Sequence, residues 1–102
     1  MPELRCTVCR VGDYESRTEE YEISYAVGEA RPRGLRIKYQ AARAYEINAA
    51  LDAAVETARG AISEAVPDLD GPTDEALSQF TWRAIQSAKY EEDEARTSRL
   101  EL

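Results

Sequence analysis

In Thr18-Glu19-Glu20-Tyr21-Glu22-Ile23-Ser24-Tyr25-Ala26-Val27, the residues Tyr21, Ile23, Tyr25 and Val27 fall on one side of an extended chain, and Glu20, Glu22 and Ser24 on the other. Side chains alternate across a strand with a period of two, so this pattern predicts a half-buried β-strand. Upstream, Leu4, Cys6 and Val8 alternate with Arg5, Thr7 and Cys9 and run into the turn-forming pair Gly12-Asp13. A first strand is therefore expected to pair with the stretch 18–27. Downstream, the segment 28–34 contains Pro32 and two glycines and reads as a loop. Leu35, Ile37 and Tyr39 then alternate with Arg36 and Lys38, which fits either a short third strand or the start of the helix that follows.

From about Gln40 the period lengthens. Ala44, Ile47, Leu51, Ala54 or Val55, Ala58, Ile62 and Ala65 recur at steps of three and four, opposite Glu46, Asp52, Glu56, Arg59 and Ser63. This is an amphipathic helix expected over about 40–66 and ended by Pro67. Gly60 is its weak position, costing about 1 kcal/mol relative to alanine unless a neighbour approaches closely there. After the turn 67–72, Thr73 suits a helix cap, and Asp74 and Glu75 complement the helix dipole. Leu77, Phe80 or Thr81, Ala84, Ile85 and Ala88 give this second helix, expected over about 73–95, its apolar stripe. The short connection makes the two helices an antiparallel pair. The end 96–102 is polar and is expected to fray, with Leu100 and Leu102 available to dock on a neighbouring chain. The predicted class is α+β: a single domain over 1–102, with a small N-terminal antiparallel sheet of two to three strands packed on a C-terminal antiparallel helical hairpin.

The whole chain has 102 residues, 13 bases and 20 acids, for a formal charge of −7, and 43% hydrophobic residues. That fraction, with only 5 glycines and 4 prolines, excludes disordered and collagen-like classes. No stretch approaches the roughly 20 apolar residues of a membrane span, and no apolar run follows the basic residue near the N-terminus. With two cysteines and no disulfide framework, a cytoplasmic, reducing location is expected, without membrane association. A domain this small buries limited surface, so homo-oligomerisation is expected to support it.

Histidine is absent, which removes the commonest general base and the commonest zinc nitrogen ligand. Carboxylate pairs such as Asp52 and Glu56 have the spacing of a solvated helix face, and no catalytic residue is assigned. No cofactor is expected. Cys6 and Cys9 supply half of a tetrahedral zinc site or a reversible disulfide. Zinc takes four ligands and the chain offers no second cysteine pair or histidine, so a site would have to be shared between two chains; residues three apart on a regular strand also point to opposite faces, which opposes chelation.

Charge is segregated. Arg31, Arg33, Arg36, Lys38 and Arg43 form a basic strip without an acid, and Tyr39 within it adds an aromatic face; together they suit a phosphate-bearing ligand, a nucleotide or nucleic acid. The segment 64–95 carries nine acids against two bases, four of them in the run Glu91, Glu92, Asp93 and Glu94. With Tyr14, Trp82 and Tyr90, that run is the expected partner interface. The reading that follows is a non-catalytic acidic oligomeric binding protein: an inhibitor, adaptor or assembly component, of a size compatible with virus-encoded proteins. It acts by protein contacts. The alternatives are a nucleotide or nucleic-acid module built on 31–43, and a metal-assisted dimer or thiol switch through Cys6 and Cys9.

Overall fold

The computed structural model describes residues 2–12, 17–90 and 94–102. Its elements run β1 (Glu3–Val11), β2 (Thr18–Val27), β3 (Arg33–Gln40), α1 (Ala44–Ala65), α2 (Asp74–Ala88) and β4 (Arg96–Glu101). The strands form one antiparallel sheet in the order β3-β2-β1-β4. Both helices lie against one face of it, α1 on β2 and β3, α2 on β1 and β4, and they pack on each other. The class is α+β, as the sequence predicts.

Alternation dictates which sheet face meets the helices. Leu4, Cys6 and Val8 of β1, Tyr21, Ile23, Tyr25 and Val27 of β2, and Ile37 and Tyr39 of β3 are all buried. They meet Ala54, Val55, Ala58, Ala61 and Ile62 of α1 and Leu77, Ala84, Ile85 and Ala88 of α2. The small alanines bring the helices close to the sheet, and Tyr21, Tyr25 and Tyr39 are the largest fully buried side chains between them. One hydroxyl is satisfied across the layers: Tyr25 Oη and Thr81 Oγ1 stand 2.6 Å apart. The segment 35–39 is strand, not the beginning of the helix.

Local signals set the ends of the hairpin. Thr73 Oγ1 accepts a hydrogen bond from the Ala76 amide at 3.1 Å, and Gly71, with φ of 64°, occupies the left-handed region that an L side chain resists. Arg59 of α1 holds this turn, donating to the Pro72 carbonyl at 2.7 Å and pairing with Asp74.

Two expectations are corrected. The second helix stops at Ala88 rather than near 95. The end of the chain does not fray: it returns as β4 and pairs antiparallel with β1, matching Leu4 with Leu100, Cys6 with Ser98 and Thr7 with Thr97. Leu100 and Leu102 pack against the chain's own core. Backbone pairing with β1 outweighs the low hydrophobicity of this strand.

Candidate functional site

The second face of the sheet is covered by no described element, and register decides what it displays. Residues opposite each other on adjacent strands share a face. Gly34 stands opposite Ser24, Ser24 opposite Thr7, and Thr7 opposite Thr97. One uncharged row of small side chains thus crosses all four strands. The hydroxyls of Thr7 and Thr97 lie 3.0 Å apart. Thr7, Ser24 and Gly34 of this row floor a groove of about 510 Å³ that Cys9, Glu22, Arg36 and Ala95 also line.

The charged residues of this face are tied down. To one side of the groove, one row from Thr7 on the same face, stand Arg5, which donates to the Gly28 carbonyl at 2.6 Å, and Arg99, which pairs with Glu3 at 2.6 Å. On the other, Arg36 pairs with Glu22, and its second guanidinium nitrogen lies 3.8 Å from Glu20. Glu22 raises the Arg36 pKa further above its ordinary value. Small residues flanked by paired charges make an open groove on this face.

The basic strip is not one surface. Arg33 points to the helix side and donates Nε and Nη2 to Glu64 Oε2 at 2.9 and 2.7 Å. Arg36 and Lys38 lie on the uncovered face, with Lys38 opposite Glu20. Arg43 precedes α1 and pairs with Glu46 at 3.2 Å, while Arg31 is exposed in the loop between β2 and β3. Tyr39, expected to offer a stacking face, is 1% exposed, its ring 6.1 Å from that of Tyr21 and 6.2 Å from that of Trp82. That expectation is corrected: the tyrosine belongs to the core because it falls on the helix side of β3.

Cys6 and Cys9 lie on opposite faces of β1. Both are free thiols. Cys6 is sealed beneath the helices, where burial pushes its pKa up to about 12 against a small opposing effect of a hydrogen bond with Tyr25. Cys9 lines the groove. The two sulfurs do not converge on a shared ion or on each other from a regular strand.

Of the expected interface residues, Tyr90 is 67% exposed, with the Lys89 ammonium 5.6 Å from its ring centre. Glu94 is exposed, and Trp82 is half-buried against Tyr39. Tyr14, Glu91, Glu92 and Asp93 lie outside the described residues.

Sequence reasoning missed a buried polar cluster at one end of the sheet. Arg10 and Glu19 are each 5% exposed. Arg10 Nη1 donates to the Lys89 carbonyl at 2.9 Å, at the end of α2, and lies 3.9 Å from Glu19 Oε1. The same carboxylate oxygen accepts from the Tyr21 hydroxyl at 2.7 Å and has Lys89 Nζ at 4.0 Å. Burial, then the bond to Glu19, raises the Tyr21 pKa far above its ordinary value. The signal was present: extending the alternation of Leu4, Cys6 and Val8 by one step reaches Arg10, and stepping back from Tyr21 reaches Glu19.

No family model, curated protein or solved structure matches this chain. Among the described residues no helix is long and apolar enough to cross a membrane.

Proposed function

We propose that this chain is a non-catalytic binding protein, an inhibitor, adaptor or assembly component, whose working surface is the uncovered face of its sheet. The observation that carries the reading is the groove on the uncovered face, with Gly34, Ser24 and Thr7 as a floor of small residues beside the paired charges of Glu22 and Arg36. A partner segment lying across the strands fills the floor, while Glu22 and Arg36 beside it select its orientation. The mechanism is occlusion by shape and charge, without turnover. Two free thiols suit a reducing cytoplasm.

The division of the basic strip among the helix side, the uncovered face and the start of α1 supports protein contact over polyanion binding. Arg33, Arg36 and Arg43 already face carboxylates, which a phosphate would have to displace. The reading is tested by co-purification from cells of the source organism, comparing the native protein with Ser24→Trp, which fills the groove, and Arg83→Glu, on the exposed surface of α2. A protein that co-purifies with the native chain and Arg83→Glu but not with Ser24→Trp is the expected result. Equal retention by both variants would sink the proposal, and salt-sensitive capture of nucleic acid would replace it with the polyanion reading.

A further inference from the structure

A sheet of order β3-β2-β1-β4 has two outer edges, and they differ. Edge strands expose unpaired amide and carbonyl groups that template pairing with another chain unless something blocks them. The β3 edge carries Arg33, Arg36 and Lys38 and no acid, and its two arginines already pair with Glu64 and Glu22, so two β3 edges bring no opposite charges of their own together. The β4 edge carries Arg96, Thr97, Ser98, Arg99, Leu100 and Glu101, with both signs of charge and one leucine.

Which backbone groups of β4 face outward follows from one bond. The Leu102 amide donates to the Pro2 carbonyl at 3.0 Å. Alternation along an antiparallel ladder then turns the amides and carbonyls of Leu100 and Ser98 toward β1 and those of Thr97, Arg99 and Glu101 away from it. A second β4 pairs antiparallel only by setting outward residues against outward residues, which leaves few registers. With Ser98 opposite Ser98, Leu100 meets Arg96. With Arg99 opposite Arg99, like charges meet on the axis. With Leu100 opposite Leu100, Arg99 meets Glu101 of the other copy twice, related by the two-fold axis, and the two leucines meet on the helix side.

From this the geometry points to a second copy of this chain as the occupant of the β4 edge, paired in the register Leu100 to Leu100. Arg99 and Glu101 exchange both backbone bonds in each of two symmetric pairs, giving four hydrogen bonds across the axis, and their opposite charges flank the seam. The two sheets join into one of eight strands. The uncovered faces become continuous, so two grooves are displayed side by side for a partner. This pairing does not depend on what fills the groove.

The test is the mass in solution across a concentration series, by light scattering, for the native chain, Arg99→Glu, Glu101→Arg and the double charge exchange, with circular dichroism to confirm folding. The native chain is expected to show a concentration-dependent dimer. Each single variant sets like charges opposite each other and weakens it by roughly tenfold or more, and the double exchange recovers much of the loss. A native chain that stays monomeric to millimolar concentration overturns the inference. So does a dimer that both single variants leave unchanged, or one that the double exchange fails to restore.

Discussion

Tyr25 of β2 and Thr81 of α2 share a hydrogen bond of 2.6 Å between hydroxyls that are both sealed from solvent, joining the centre of the sheet to the helix above it. Thr81→Val keeps the shape but leaves a buried phenol without this partner. Loss of about 1–3 kcal/mol is expected, and Tyr25→Phe added to it recovers part of that loss because neither group is then stranded. Urea unfolding of the two single variants and the double variant measures the coupling.

Stability is expected to fall in alkali, beginning near pH 9. Cys6, with an ordinary pKa of 9.0, is pushed up to about 12 by burial, and Tyr39 is likewise pushed up to about 12. Tyr21 and Tyr25 are raised further still. A raised pKa means that the unfolded chain loses its proton first. Folding is therefore fully supported below the unfolded values and loses about 1.4 kcal/mol per pH unit per group above them, until the folded value is reached. Unfolding midpoints between neutral pH and about pH 10.5 should drop, and Cys6→Val should delay the onset of the drop to the tyrosine range. A midpoint unchanged up to about pH 10.5 contradicts this.

The two thiols should differ in reactivity. Cys9 lines the open groove, whereas Cys6 is buried and holds its proton. A thiol reagent at neutral pH is expected to modify one cysteine in the folded chain, mapped to Cys9 by mass spectrometry, and the second only after denaturation. Rapid modification of both would show that the helices do not seal β1.

Gly60 lies under the Arg33 side chain as it crosses α1 to Glu64: a Cβ there would come to 2.8 Å of Nη1. That nitrogen is the movable end of an exposed side chain. Gly60→Ala should therefore gain most of the ~1 kcal/mol of helix propensity, less the few tenths that an exposed ion pair contributes. In an Arg33→Ala background the full gain of about 1 kcal/mol is expected in thermal or urea unfolding.

The parts of this fold legible in the sequence are those where hydrophobic alternation and burial coincide. Tyr21, Ile23 and Tyr25 mark β2 unambiguously, and Leu77, Ala84 and Ile85 mark the inner face of α2. β4 escaped because Arg96-Thr97-Ser98-Arg99-Leu100-Glu101 offers one apolar residue, and its partner lies some ninety positions earlier in the chain; such pairing leaves no local signature. Arg10 and Glu19 escaped because charged residues were read as surface, although each continues a buried row. The basic strip looked like one feature in one dimension. Folding sends Arg33 to one side of β3 and Arg36 and Lys38 to the other, and register against Glu20 and Glu22 neutralises much of what sequence showed as free charge. The groove itself was invisible, since Gly34, Ser24 and Thr7 become neighbours only through the strand order.

The claim that the uncovered face is the working surface is tested most directly from inside the groove, through Cys9. A photo-reactive maleimide placed on Cys9 of the native chain, irradiated in an extract of the source organism, is expected to give a covalent adduct to a partner protein that Ser24→Trp abolishes. If the partner co-purifies yet forms no adduct from Cys9, and does form one from a cysteine placed at Arg83 on α2, the binding surface is on the helices and the account is contradicted.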